Sequence, residues 1–167
     1  VLMGCNLDGA NLSGSGLEEV AWSDVTLRRA RLPMLDLDRS VLDRVDMEGS
    51  MLDHGHADGS RWTRVGLRGA TLVRVTLDDA VITDGDFAGA ILRDIRLAGA
   101  VLRGCTFRDA DLSRTLPLPR LAERASAEGA QFDGCDLRGA NLQGLRVDGA
   151  RFTACRMEGV RGVPLFQ

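Results

Sequence analysis

The histidines are the first residues to consider for metal binding. His54 and His56 are the only two in the chain, and they lie between Asp53 and Asp58. Imidazole and carboxylate groups together can hold a divalent metal. No more distant ligand is obviously recruited, however, and two histidines at surface positions form a solvated corner more often than a metal site. We therefore predict no metal site.

The cysteines are the second candidates for chemistry. The chain contains Cys5, Cys105, Cys135 and Cys155, and no pair has the close spacing of a structural zinc site. Cys135 and Cys155 lie twenty residues apart, so a disulfide is geometrically possible if that distance is one turn of the fold. The alternative that we favour is four small buried thiols, because other repeats carry alanine or serine at these positions. Free thiols would imply a reducing compartment, and we expect a cytoplasmic protein.

The rest of the sequence offers no catalytic constellation. No nucleophile stands beside a base, and no glycine-rich loop follows a strand and opens a helix. We predict no enzyme activity and no cofactor. The net charge is −3 and all 21 basic residues are arginine, so the basic excess typical of direct nucleic-acid binding is missing. The sequence has no run of 18 apolar residues, so we predict no membrane span.

A five-residue period organises the sequence. From Leu2 to Leu112 every fifth residue, 23 in succession, is apolar, and the phase returns from Phe132 to Met157. We call this the centre position. Two residues before it lies a small position, filled mostly by alanine, serine, cysteine or valine. Two residues after it lies a corner position, which holds 15 of the 20 glycines. The residues on either side of the centre are the pre-centre and post-centre positions.

This pattern predicts a solenoid. The small and centre positions are two residues apart, so their side chains lie on one face of an extended segment. Glycine at the corner suits a turn that needs positive φ. A helix would require a period near 3.6 and a long strand strict alternation, so neither explains five. A chain that turns every five residues buries its inward positions by winding into coils stacked about 4.8 Å apart.

The sequence resembles the pentapeptide repeat family, whose consensus is Ala-(Asp/Asn)-Leu-X-X. Matching segments include Ala10-Asn11-Leu12, Ala110-Asp111-Leu112 and Ala140-Asn141-Leu142. The resemblance covers nearly all of 1–112 and 130–161. It implies an all-β, right-handed quadrilateral β-helix with four five-residue repeats per coil, so that residues twenty apart are neighbours on one face. We predict a single domain over 1–167, with about seven coils and a length of about 35 Å.

Aromatic residues offer a check on this coil size. Phe87 and Phe107 lie twenty residues apart, as do Phe132 and Phe152, and Trp22 and Trp62 lie forty apart. We predict that these pairs share walls of the solenoid.

The pattern breaks once, between about residues 113 and 129. Pro119 suits a first helical turn, good helix formers follow, and Gly129 suits a C-terminal cap. We predict a short helix or loop that leaves the rod, either as a tolerated surface insertion or as a contact element. The candidate contact residues are Leu118, Arg120, Leu121 and Arg124. The length of the excursion stays open, and with it the face on which the later repeats continue.

Both ends of a solenoid expose unpaired backbone. We predict a cap or contact segment over 162–167 that uses Leu165 and Phe166. The first repeat begins at Val1 without a cap, so we expect preceding residues or a partner to cover that end.

Acidic residues recur on one predicted face. We call this set the acidic ladder, and its members are Glu18, Glu19, Asp36, Asp38, Asp58, Asp78 and Asp79. Stacked like charges are unfavourable in a sheet, so we expect the ladder to gain nothing structurally and to be either tolerated or used for binding. The stripe stops at Ala98.

The leading functional hypothesis is a non-catalytic protein-interaction rod whose partner the sequence does not name. The family resemblance implies an alternative, a DNA-mimicking binder of bacterial DNA gyrase or topoisomerase of the quinolone-resistance or self-immunity type. A second alternative is a structural self-assembling module, such as a homodimer formed through an end or an apolar face. Two outward groups of apolar residues favour it: Val41, Val81 and Val101 on one face, and Pro33, Met34, Met51, Val73 and Ile91 on another.

Overall fold

The computed structural model describes residues 1–115 and 125–162. Its eight short strands form one parallel sheet in sequence order. They are β1 (Leu2–Met3), β2 (Ala21–Ser23), β3 (Val41–Asp43), β4 (Arg61–Thr63), β5 (Val81–Thr83), β6 (Val101–Arg103), β7 (Gln131–Asp133) and β8 (Arg151–Thr153). Three further columns of parallel bridges begin at Asn6, Asn11 and Gly16, so each coil has four sides. We call these sides, in chain order, the strand face and the second, third and fourth faces.

Each repeat satisfies most of its backbone through neighbouring coils. In the repeat centred on Leu27, the Leu27 amide donates to the Asp46 carbonyl of the next coil (2.6 Å). The corner amide of Arg29 donates to the Glu48 carbonyl (2.9 Å), and the Ala30 amide closes the turn on the Leu27 carbonyl (3.1 Å). In the described coils, the post-centre amide is left without a backbone acceptor on the second, third and fourth faces. Such an amide needs a side-chain acceptor or water.

The corner positions confirm the turn prediction. All fifteen corner glycines have positive φ, between 60° and 76°. Within the described ranges, fourteen residues other than glycine also have positive φ, among them Met34 at 56° and Arg64 at 54°. Isolated residues tolerate this conformation at some cost, which the stacking of coils on both sides must offset.

The core consists of the centre and small positions, which are buried in the middle coils. Phe87 and Phe107 stack with ring centroids 4.7 Å apart and an interplanar angle of 6°. Phe132 and Phe152 also stack, at 4.7 Å and 10°. The predicted twenty-residue coil is therefore confirmed. Phe107 meets Phe132 edge-on at 6.2 Å, which joins the two stacks across adjacent walls.

The register crosses the break in the sequence without changing face. Ile82 of β5 pairs with Leu102 of β6, twenty residues on, whereas Leu102 pairs with Phe132 of β7, thirty residues on. The excursion therefore adds ten residues to one coil. Ser126 already bridges Arg96, so the rod resumes before residue 129, the predicted end of the excursion.

Several predicted contacts lie outside the described residues. These are Leu118, Arg120, Leu121 and Arg124 of the excursion, with the helical option for 119–124, and Leu165 and Phe166 near the C-terminus. Within 1–115 and 125–162 no helix is long and apolar enough to cross a membrane.

Candidate functional site on the fourth face

The structure gathers the acidic ladder on the fourth face. Glu18, Asp38, Asp58 and Asp78 are its successive post-centre residues, one per coil. Glu19 and Asp79 occupy corner positions of the same face, and Asp36 is a pre-centre residue in its bridge column. Residues that are up to 61 positions apart in sequence thus share one surface.

Two more carboxylates continue the post-centre column beyond the break. The Gly99 amide donates to the Glu128 carbonyl (2.8 Å), and the Gly129 amide donates to the Asp148 carbonyl (2.8 Å). Glu128 and Asp148 therefore follow Ala98 in the column. Its acidic members, which we call the acidic column, are Glu18, Asp38, Asp58, Asp78, Glu128 and Asp148. The prediction that the stripe stops at Ala98 is wrong, because thirty residues rather than twenty separate the coils there.

Three carboxylates of the acidic column accept amides that the backbone leaves unpaired. The Asp58 amide donates to Asp38 Oδ1 (2.8 Å), the Asp78 amide to Asp58 Oδ1 (2.8 Å) and the Ala98 amide to Asp78 Oδ1 (2.9 Å). The expectation that the ladder gains nothing structurally is therefore wrong for these three residues. Each satisfies a backbone donor in the following coil, which offsets the repulsion between stacked charges.

The residue type at the pre-centre position is a sequence signal for which side chain accepts the post-centre amide. Where that residue is Asn or Asp, it can accept the post-centre amide of its own repeat, as Asn11 does for Ser13 (3.1 Å) and Asp36 for Asp38 (3.0 Å). The next pre-centre residues of the fourth face are His56, Thr76 and Arg96, none of which accepts that amide. The carboxylate of the preceding coil takes their place.

Arginines compensate the acidic face unevenly. Arg39 pairs with Glu19 (Nε–Oε1 3.1 Å), Arg96 pairs with Asp78, and Arg146 lies beside Glu128 and Asp148. Burial raises the pKa of Asp78, although the Ala98 amide and Arg96 both favour its ionised form. In contrast, no arginine pairs with Asp36, Asp38 or Asp58 among the described residues. The uncompensated charge lies toward the N-terminal coils.

The charge of the protein is segregated by face. Among the described outward positions, the fourth face carries nine carboxylates and three arginines, whereas the other three faces together carry fourteen carboxylates and sixteen arginines. The fourth face thus has a formal charge of −6 against +2 for the rest. A net charge of −3 for the chain conceals this asymmetry.

Half of the described carboxylates outside the fourth face, seven of fourteen, pair with an arginine. Asp136 accepts two guanidinium bonds from Arg138 (2.9 and 2.6 Å), and this contact lowers the pKa of Asp136 to about 2. The hydrogen bond from Arg44 does the same for Asp24, whose pKa is also lowered to about 2. Asp24 is exposed and Asp136 is partly exposed, so solvent keeps both effects local.

We expect Arg138→Ala to restore the pKa of Asp136 toward 3.8, its ordinary value. A carboxyl whose pKa is lower in the folded protein contributes stability above its unfolded pKa and loses it as the pH falls, here between about pH 5 and pH 2. Side-chain carboxyl NMR over that range measures the pKa directly. Asp24, which does not contact Arg138, serves as the internal control. An unchanged Asp136 titration in the variant would contradict the assignment.

The cysteines form a column on one inner edge of the coil. Cys105 and Cys135 are buried, Cys5 and Cys155 are partly buried, and all four are free. The neighbouring Cys135 thiol and burial raise the pKa of Cys105, and burial raises that of Cys155. These two thiols are poor nucleophiles because they stay protonated.

The histidines lie on the corner between the third and fourth faces. His56 Nδ1 is 3.1 Å from Thr76 Oγ1, and His54 Nε2 is 3.3 Å from Arg74 Nη1. Among the described residues no group of three or more His, Cys, Asp or Glu side chains could hold a metal ion.

The apolar residues noted in the sequence fall on two other faces. Val41, which is 44% exposed, lies on the strand face with Val81 and Val101. Met34 (62% exposed), Met51 (45%) and Ile91 (38%) lie on the third face. Self-association through either surface stays a prediction.

Comparison with known proteins places the chain in a family. The profile of pentapeptide repeats matches eight copies over residues 5–44, 86–116 and 123–159. QnrB1 (full length), a plasmid-mediated fluoroquinolone resistance protein, has a similar structure with a TM-score of 0.63 and 14% identity, over 97% of this chain and 91% of that one. HetL, a pentapeptide repeat protein involved in heterocyst differentiation regulation from the cyanobacterium Nostoc sp. strain PCC 7120, is 20% identical with a TM-score of 0.36, over 96% and 88% of the two chains. No curated protein matches significantly. Because the repeat profile covers most of the sequence and the coils carry its period throughout, the chain belongs to the pentapeptide repeat family.

Proposed function

We propose that this protein is a non-catalytic interaction rod that binds a basic surface of a partner protein through its fourth face. The observation that carries the proposal is the charge segregation, with −6 on one face and +2 on the other three. Long-range attraction between such a face and a basic patch accelerates association and selects partners by charge. The partner would contact the N-terminal coils most closely, because Asp36, Asp38 and Asp58 lack arginine partners within the described part of the chain.

The interior supports a role without catalysis. The inward positions of the described middle coils hold mostly apolar side chains that are at most 3% exposed, with buried serines such as Ser40, Ser50 and Ser60 at some small positions, so these coils offer no internal pocket for a substrate. Cys105 and Cys135, the buried thiols, stand beside backbone carbonyls rather than a base. Four free cysteines also favour a reducing, cytoplasmic location.

A DNA-mimicking binder of bacterial DNA gyrase or topoisomerase is the second candidate. The continuation of the acidic column through Glu128 and Asp148 favours it, as does the likeness in fold to QnrB1. The low charge density of the fourth face is the reason that we rank DNA mimicry second. Seven rungs at about 4.8 Å span roughly 29 Å, so the face carries about one net charge per 5 Å. A DNA duplex carries about one per 1.7 Å, which is roughly three times denser.

Neutralising three members of the acidic column tests whether the fourth face binds a partner at all. In a triple variant Asp38→Asn, Asp58→Asn and Asp78→Asn, the amide oxygen keeps the acceptor for the following coil while three charges disappear. A matched control, Asp84→Asn, Asp109→Asn and Asp133→Asn, removes three charges on other faces that form no ion pair with a described residue. We expect pull-downs from a source-cell lysate to recover a salt-sensitive partner with the wild type and the control, and at least tenfold less with the triple variant. Equal recovery with all three proteins would contradict binding through the fourth face.

The same three proteins test gyrase mimicry. If the second candidate is right, the wild type inhibits supercoiling by purified bacterial gyrase, and the triple variant requires roughly tenfold more protein for the same inhibition. Absence of inhibition at high protein excess would contradict mimicry and leave the broader interaction proposal to the pull-down.

A further inference from the structure

A groove runs along the corner between the third and fourth faces. Its volume is about 280 Å³. The lining residues belong to three successive coils, with His54 and His56 in the first, Arg74 and Thr76 in the second, and Asp94 and Arg96 in the third. We call this the corner groove.

The hydrogen bonds in the corner groove fix which atoms can donate. The Arg74 guanidinium has only donors, so His54 Nε2, which lies 3.3 Å from Arg74 Nη1, must accept. Neutral His54 therefore carries its proton on Nδ1. His56 Nδ1 contacts Thr76 Oγ1, which leaves His56 Nε2 for another partner. The ring nitrogens left for another partner are thus Nδ1 of His54 and Nε2 of His56.

The single carboxylate in the lining is engaged by Thr115. Asp94 is 6% exposed and accepts the Thr115 amide (3.0 Å) and the Thr115 hydroxyl. Arg74 Nε stays 3.9 Å from its nearest oxygen, so this contact is a loose pair rather than a hydrogen bond. Besides the donor that Nη1 directs to His54, the Arg74 guanidinium therefore keeps N–H groups for a ligand.

The neighbouring carboxylates are engaged elsewhere. Asp36 accepts the Asp38 amide, Asp53 accepts the Val73 amide (3.0 Å) and Asp58 accepts the Asp78 amide. Asp78 is occupied by the Ala98 amide and by Arg96. None of these four carboxylates belongs to the lining, so the groups that a ligand would contact are the guanidiniums of Arg74 and Arg96, the two imidazoles, Thr76 and Asp94.

We propose that the corner groove binds an oxyanion of the phosphate or sulfate type, either free or on a phosphorylated side chain of a partner. In sequence, two histidines flanked by aspartates are the candidate ligands of a divalent cation, a site that we predict to be absent. The coil register adds the guanidiniums of Arg74 and Arg96 to the same groove, and the described residues provide no cluster of three ligands for a metal ion. A planar guanidinium matches two oxygens of a tetrahedral anion, and the imidazoles add further donors.

Binding should strengthen as the histidines become protonated. A protonated His54 loses the lone pair that accepts from Arg74, and without a ligand it faces a like charge. A bound anion neutralises both groups, so binding and protonation favour each other. The carboxylates around the same histidines are present both with and without the anion, so any change in histidine protonation on binding comes from the anion. These carboxylates belong to Asp36, Asp53, Asp58, Asp78 and Asp94. Sulfate is a suitable probe because it does not titrate between pH 6 and 7.5.

The two histidines of the chain give two resolvable ring signals by proton NMR. We expect sulfate, added at constant ionic strength, to shift both signals saturably at pH 6 and to bind roughly fivefold more weakly at pH 7.5. Arg74→Gln should weaken binding at least fivefold, and Arg74→Lys, which keeps the charge but loses the fork, should lie between. Arg31→Gln removes a third-face arginine that lies outside the groove and pairs with no described carboxylate, and it should bind as the wild type. Circular dichroism of each variant verifies the fold.

Three outcomes would overturn the proposal: no saturable response to sulfate, equal binding by wild type and Arg74→Gln, or a saturable response to Zn²⁺ in place of sulfate. Inorganic phosphate and a phosphoserine peptide then distinguish the source of the anion. Tighter binding of the peptide supports a phosphorylated partner, and equal affinity supports a free anion.

Discussion

Replacing Phe107 with alanine should lower the free energy of unfolding by about 3–5 kcal/mol, the usual cost of deleting a buried aromatic ring. Phe107 is 1% exposed, stacks on Phe87 and meets Phe132 edge-on. It therefore joins the two aromatic stacks at the coil where the excursion leaves. A rod in which each coil contacts only its neighbours has few other contacts to absorb a cavity there. Urea denaturation followed by circular dichroism measures the loss.

Two further variants make this result specific. Phe107→Leu keeps much of the volume and should cost less than about 1.5 kcal/mol. Arg108→Ala changes the adjacent exposed residue, which forms no ion pair among the described residues, and should stay within about 0.5 kcal/mol of the wild type. A loss below about 1 kcal/mol for Phe107→Ala, far under the usual range, would mean that the neighbouring rings do not depend on it.

Asp38→Ala and Asp58→Ala should each cost about 1–3 kcal/mol, the penalty for leaving a partly buried amide without an acceptor. Asp38→Asn and Asp58→Asn should cost much less, because the side-chain oxygen remains and the repulsion between stacked charges falls. The free energy of unfolding of all four variants tests the difference. Equal losses for alanine and asparagine would show that charge, rather than the acceptor, is what the position requires.

The distinction between asparagine and alanine also governs how function should be tested. An alanine variant of the acidic column removes charge and acceptor together, so a loss of binding would be ambiguous. The asparagine variant changes the potential of the fourth face while keeping its hydrogen bonds. It is therefore the informative probe for an electrostatic partner.

Much of the fold could be predicted from the sequence because the period is carried by every repeat. The glycine corners, the inward centre and small positions and the stacked pairs Phe87/Phe107 and Phe132/Phe152 follow from that period and a twenty-residue coil. The stacking of Asp38, Asp58 and Asp78 follows for the same reason. Residues in one wall are bound to the same register, so a single coil size places all of them.

The sequence could not place Glu128 and Asp148, because the length of the excursion was needed first. Ten additional residues change the distance along the chain from twenty to thirty, while the stacking register stays the same. Closing the longer loop costs only about 0.4 kcal/mol more in chain entropy. Such a small cost requires no recognisable change in the repeat sequence, so the length of the excursion cannot be read from the repeats.

The corner groove was hidden for a different reason. His54 and His56 are close in sequence, but Arg74 and Arg96 belong to the next two coils. Similarly, the sequence alone presents Asp38, Asp58 and Asp78 as charges, whereas their position beside an unpaired amide gives them a second role as acceptors. Both properties depend on which residues stack, and only the coil register supplies that.

The excursion between β6 and β7 has a mechanical consequence. If the rod is pulled from its ends, each coil that detaches should release about twenty residues, or roughly 70 Å of extended chain. The coil that contains the excursion should release about thirty residues, or roughly 100 Å. A force–extension record of this protein should therefore contain one long step among shorter, uniform ones, and that step marks where along the rod unfolding has reached.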